Sequence, residues 1–82
     1  MLELYQFEGC PYCAKVRQKL CDLHLDYICR NVPKDATEKR NATIIKLGGK
    51  MQVPFLVDQN RGVYMYESDD IIRYLDETYG QR

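Results

Sequence analysis

Met1–Leu23 reads MLELYQFEGCPYCAKVRQKLCDL, and the change of pattern inside it decides the architecture. Residues 1–7 (MLELYQF) carry the apolar alternation of a β-strand. From Ala14 to Leu23 the spacing is helical, with Val16, Leu20 and Leu23 at i, i+4 and i+7. Pro11 suits the first turn of that helix, where its missing N–H costs nothing. Cys10 then stands at a helix N-terminus, where unpaired backbone N–H groups and the helix dipole favour a thiolate over a thiol. Cys13 is one turn further on and can reach back to close a disulfide. This is the minimum apparatus for thiol–disulfide exchange.

Leu25–Val32 (LDYICRNV) alternates and is rich in strand formers. A strand–helix–strand unit this compact implies parallel strands joined by a right-handed crossover. Pro33–Asp35 reads as a turn, and Ala36–Leu47 as a second helix with Asp35 or Thr37 at its cap and Gly48-Gly49 as its stop. Val53–Val57 (VPFLV) and Val63–Tyr66 form a hairpin across the turn residues Asp58–Gly62. Ser68 is a good N-cap for a last helix, and Asp69 and Asp70 place negative charge in its first turn. Ile71, Ile72, Leu75 and Tyr79 make its apolar face, and Gly80 ends it. The expected order is β-α-β-α-β-β-α: an α/β fold with a four-stranded mixed sheet and helices on both faces.

At this length, residues 1–82 are expected to form a single domain. Twelve basic and twelve acidic side chains cancel, which argues against a nucleic-acid or polybasic membrane surface. No apolar run approaches a membrane span. The N-terminus has no basic flank, and Glu3 interrupts its first apolar stretch, so a reducing cytoplasm is the expected compartment. Cysteines at 10, 13, 21 and 29 do not space like a disulfide framework. Structural zinc is not expected either, because there is one CxxC and His24 is the only histidine. His24 should end the first helix, near the negative end of its dipole. Cys21 and Cys29 read as structural, with Cys29 buried on the strand face that holds Tyr27.

Three features stand in a suggestive order: Cys10-Pro11-Tyr12-Cys13, Val53-Pro54 after Gly48-Gly49, and Glu67-Ser68 at the start of the last helix. Together they resemble the glutaredoxin family of the thioredoxin fold. Residues 66–75 (YESDDIIRYL) also resemble the N-terminal domain of glutathione transferases. The nearest resemblance is to the glutaredoxin subgroup that carries a transferase-like helical domain, and it covers essentially the whole chain. The chain stops at Arg82, before any such domain, so conjugation of a second substrate is not expected.

The resemblance implies a glutathione-dependent thiol–disulfide oxidoreductase acting on protein disulfides and glutathione mixed disulfides. Cys10 is then the nucleophile and Cys13 the resolving thiol. The bond before Pro54 is expected to be cis and to face the cysteines, with the Val53 backbone groups open to an extended peptide. Glu67 and Ser68 match the family's site for the γ-glutamyl end of glutathione, and Tyr12 matches a residue lining its groove. Gln52 is a weaker candidate for a peptide contact. Glu8 departs from the pattern, since many members have a lysine in this approach. Lys15, Arg40 or Lys50 could replace it for the glycyl carboxylate. The expected co-substrate is glutathione, with no tightly bound cofactor and no metal. The expected partners are disulfide-containing or glutathionylated proteins, met by a monomer. Two other readings follow from the same resemblance. One is a module binding a glutathione-ligated [2Fe–2S] cluster, which the stiffening Pro11 should disfavour. The other is a transferase-like interaction domain with little redox activity.

Overall fold

The computed structural model describes residues 1–32 and 38–80, with the side chains of 38–40 left out. Seven elements follow one another: β1 (Leu2–Gln6), α1 (Pro11–Asp22), β2 (Tyr27–Asn31), α2 (Glu38–Gly48), β3 (Phe55–Asp58), β4 (Val63–Tyr66) and α3 (Ser68–Tyr79). The order is the expected one. The turn at Pro33–Asp35, the start of the second helix at Ala36 and its cap at Asp35 or Thr37 lie outside the described residues.

The strands form one sheet in the order β2-β1-β3-β4. β1 runs parallel to β2, while β1–β3 and β3–β4 are antiparallel. β1 is therefore central, and all five of its residues are buried. Its alternation sorts them between two cores. Leu2 and Leu4 join Leu56 under α1 and α3, where Val16, Leu20, Ile71 and Leu75 cover them. Tyr5 joins Phe55 and Val57 on the other face, under Ile44 of α2. Glu3 shares that second face and is buried; Arg30 on β2 meets its carboxylate at 3.0 Å, and Gln59 also donates to it.

β3 begins at Phe55, two residues later than the periodicity predicts, and runs on to Asp58. Pro54 has no N–H to give to a ladder, so pairing starts after it. Cys29 is exposed, which corrects the expectation that it is buried. β2 is an edge strand. The Cys29 thiol lies there beside the Gln6 side-chain amide nitrogen and the Asn31 side-chain oxygen Oδ1, each at 3.4 Å. Cys21 is exposed on α1 as well, so neither thiol packs into a core.

α1 ends at Asp22, two residues before His24, so His24 follows the helix and does not end it. Leu25 N–H reaches Leu20 O at 2.9 Å and His24 N–H reaches Cys21 O at 3.0 Å. This pair of bonds is a Schellman motif, and it puts His24 at φ 58°, a position usually held by glycine.

α2 closes over the sheet through a glycine. A Cβ on Gly48 would lie 2.1 Å from the Tyr66 hydroxyl oxygen and 2.8 Å from a Phe55 ring carbon. Tyr66 cannot swing aside cheaply, because its hydroxyl donates to Lys50 O at 2.5 Å and accepts from Lys50 N at 3.2 Å. Its ring also packs on Phe55 with centroids 4.7 Å apart. Gly48→Ala should therefore destabilise the domain by about 1–3 kcal/mol despite alanine's better helix propensity. For a domain of this size that is a melting point lower by roughly 5–15 °C in a thermal scan at neutral pH. An unchanged melting point would mean the helix can lift off this face without loss.

Candidate active site

β1 delivers the chain to one end of the sheet, and a short turn returns it into α1. Cys10 N–H closes that turn on Phe7 O at 3.0 Å. Cys10 is the N-cap residue of α1, with φ −83° and ψ 118°, and its carbonyl accepts from Ala14 N at 3.0 Å. Its side chain makes no capping hydrogen bond. A half-buried sulfur is thus left at a helix end whose first N–H groups have no intrahelical partners.

Cys13 is fully buried one turn inside. Its Sγ accepts from Phe7 N–H at 3.5 Å. Burial pushes the Cys13 thiol up to about 11; the Phe7 N–H opposes this, while the hydrogen bond and charge of Cys10 add to it. Two thiols three residues apart therefore occupy unequal surroundings.

Beside Tyr12 opens a cleft of about 500 Å³ lined by Tyr12, Gln52, Val53, Pro54, Glu67, Ser68, Asp69 and Asp70. All the non-cysteine site residues expected from the sequence lie in this wall. Cys10 is not part of it, and stands at the turn that leads into Tyr12. The Val53–Pro54 bond is cis. Tyr12 is largely exposed, whereas Pro54 is buried.

The start of α3 differs from the expected cap. Glu67, not Ser68, is the N-cap residue; it holds φ 70° and ψ 115°, and its side chain caps nothing. Its carbonyl accepts from Ile71 N at 2.9 Å. Ser68 is instead the first helical residue and is 7% exposed. Helix dipole and local polarity suited serine to the cap, but the close packing of α3 on the sheet draws Ser68 inward.

The candidate cations sit elsewhere. Lys15 Nζ meets Asp69 Oδ1 at 2.8 Å, tying α1 to α3 and holding the Asp69 carboxyl below its usual range through hydrogen bond and charge. Lys50 lies over the Tyr66 ring, 5.0 Å from its centroid. The Arg40 side chain lies outside the described residues. The cleft lining holds three carboxylates and no lysine or arginine. Asp70 pairs with Arg73 at 3.2 Å, so of the three only Glu67 meets a neutral partner, the Gln52 amide at 2.9 Å. Sequence reading took Asp69 and Asp70 only as dipole-matching charges. Nothing in the sequence joins Lys15 to Asp69 or Gln52 to Glu67, because those pairs exist only once the elements pack. Among the described residues no group of three or more His, Cys, Asp or Glu is placed to hold a metal ion, and no helix is long and apolar enough to cross a membrane.

Residues 4–82 match the family model for the glutathione S-transferase N-terminal domain. Glutaredoxin 2 of Escherichia coli K12 is 33% identical over 98% of this chain and 35% of its own length. Glutathione S-transferase isozyme E7 from Drosophila melanogaster superposes with a TM-score of 0.85 at 32% identity, over 99% of this chain and 36% of that one. Glutaredoxin 2 from Salmonella typhimurium, solved in complex with glutathione, gives 0.82 at 27% identity, over 99% of this chain and 35% of that one. The chain thus spans between 35% and 36% of the length of these relatives.

Proposed function

The chain belongs to the glutathione S-transferase N-terminal domain family, and from that premise we propose that it is a glutathione-dependent thiol–disulfide oxidoreductase of the glutaredoxin type. The observation that carries this reading is the pair of unequal thiols, Cys10 half-buried at the helix start and Cys13 buried one turn inside. Transfer of glutathione to an electrophile uses no second protein thiol. Reduction of a protein disulfide does, because a buried resolving thiol must wait until the first has reacted.

In the proposed cycle the Cys10 thiolate attacks the glutathione sulfur of a protein–glutathione mixed disulfide. The Cys10–glutathione bond forms, the old S–S bond breaks, and the protein thiolate leaves and takes up a proton. A second glutathione thiolate then attacks the glutathione sulfur on Cys10, releasing glutathione disulfide and restoring the Cys10 thiolate. With a protein disulfide, Cys10 first forms a mixed disulfide with the substrate. Cys13 displaces the substrate thiolate, and two glutathiones reduce the Cys10–Cys13 bond.

The cleft suits the tripeptide. Backbone N–H groups at the start of α3 can take the γ-glutamyl carboxylate, and Ser68 lines the same space. Glu67, with no cation of its own among the described residues, can take the ammonium. Tyr12 and Val53 flank the middle of the ligand. Disulfide-containing or glutathionylated proteins are the proposed partners.

The test is a glutathione:mixed-disulfide exchange assay with a glutathionylated peptide, read alongside conjugation of glutathione to an electrophile. Saturable reduction is expected. Conjugation without reduction would make the chain a transferase module instead. In the same assay Glu67→Ala should raise the glutathione requirement roughly tenfold, the low end of a charge-assisted hydrogen bond because the site is open to water. The pH dependence of Cys10 alkylation should not move. An unchanged glutathione requirement would leave Glu67 as a solvated charge before a helix.

A further inference from the structure

Gln52 sits in the segment that leads into β3, and Glu67 at the N-cap of α3. The Gln52 amide Nε2 donates to Glu67 Oε2 at 2.9 Å, joining two segments of the cleft wall. The Glu67 main chain is committed, since its carbonyl accepts the first helical bond from Ile71 N and its backbone holds φ 70°. Its side chain is not committed by any cap. A glutamate on the open rim of a cleft has several rotatable bonds, and water alone would leave it spread over many rotamers. Gln52 is half-buried, which narrows the positions from which its amide can meet the carboxylate. A carboxylate has about four lone-pair sites, so a single amide bond orients the group and leaves the rest of it open. Asp69 and Asp70 are occupied by Lys15 and Arg73, which leaves the oriented Glu67 as the available anion of the wall.

We propose that Gln52 is a positioning residue that aims the Glu67 carboxylate at the α-ammonium of a γ-glutamyl ligand, and thereby sets the site's preference for thiols bearing a free α-amino group. This rests on the glutathione reading above and adds to it a residue that acts only through Glu67.

Calorimetry separates the two. The probes are S-methylglutathione, which binds without reacting, and the same molecule lacking its α-amino group (a glutaryl in place of the γ-glutamyl). The wild-type chain should prefer the amine-bearing probe. Gln52→Met, which keeps volume and loses the donor, should weaken S-methylglutathione about three- to tenfold. It should leave the deaminated probe within twofold. In a Glu67→Gln background the Gln52→Met change should add nothing, because its effect passes through the carboxylate. Melting curves of each variant establish that it is folded. If wild type binds S-methylglutathione but Gln52→Met weakens both probes equally, or neither, Gln52 is a structural tie or a bystander and this inference is overturned alone. Additive effects in the Glu67→Gln background overturn it as well. If wild type does not bind S-methylglutathione, the glutathione reading itself falls and takes this one with it.

Discussion

Cys10→Ser should remove turnover on every disulfide substrate, a loss of about a thousandfold or more, because a hydroxyl at that position is neither ionised nor able to form the mixed disulfide. Cys13→Ser should behave differently on two substrates. Reduction of a glutathionylated peptide should persist, since a second glutathione can resolve the Cys10–glutathione bond. Reduction of a protein disulfide through the dithiol route should be lost. The thiol environments set this order. With Cys13 pushed up to about 11, its thiolate fraction near neutrality is on the order of one in ten thousand. Two of the contributions that hold it up come from the reduced Cys10 beside it, through hydrogen bond and charge. Both disappear once the Cys10 sulfur is in a mixed disulfide. Cys13 thus becomes easier to ionise at the step where it must attack. Mass spectrometry after brief iodoacetamide treatment near neutral pH should find Cys13 as the last of the four cysteines modified. Equal loss in both serine variants on the glutathionylated peptide would undo the assignment of roles.

Asp58→Ala should cost about 3–5 kcal/mol, a large part of the stability of a domain this small. Asp58 ends β3 and is fully buried. Tyr74 and Tyr79 of α3 both donate their hydroxyls to its Oδ2, at 2.7 Å and 2.5 Å. The two hydroxyls pin the C-terminal half of α3 to the far end of the sheet, and truncation leaves both without their acceptor. Burial by itself would raise the Asp58 carboxyl, but the Tyr79 and Tyr74 hydrogen bonds and the Arg61 charge outweigh it, so the carboxyl lies below its ordinary 3.8. A group depressed on folding contributes stability that is present above its unfolded value and lost as pH falls through its folded one. Wild-type stability should therefore fall away below about pH 4, while Asp58→Asn should be weaker at neutrality and flatter through that acid window. The tyrosines give the opposite limb. Burial, then the bond to Asp58, pushes Tyr74 up to about 12 and Tyr79 also upward. Their contribution is complete below about pH 10 and lost as pH rises toward those values. Urea titrations across pH check both limbs. An Asp58→Asn profile parallel to wild type in acid would place the acid sensitivity elsewhere.

The order of elements was legible because each one follows from a local period. Residues 1–7 alternate, Val16, Leu20 and Leu23 recur at helical spacing, and glycines stand where α2 stops. The site residues Cys10, Cys13, Tyr12, Val53, Pro54, Glu67 and Ser68 were legible as motifs in a given order. What a period reports is which side of an element is apolar. It carries no record of what covers that side. Cys29 and Tyr27 share a face by alternation, yet β2 is the sheet edge and Cys29 reaches the surface. Asp58 reads as turn chemistry, yet packing of α3 seals it beneath two tyrosine hydroxyls. Ser68 has the chemistry of a cap, but docking of the helix turns it inward and leaves Glu67 at the cap. Lys15 is one basic residue among several until α1 and α3 pack side by side and it meets Asp69. The amino-acid sequence by itself determined the elements, their order and the thiol pair at a helix start. Tertiary structure alone decided that Cys29 reaches the surface and which carboxylate in the cleft remains uncommitted, because burial and charge pairing depend on contacts between residues far apart in the chain.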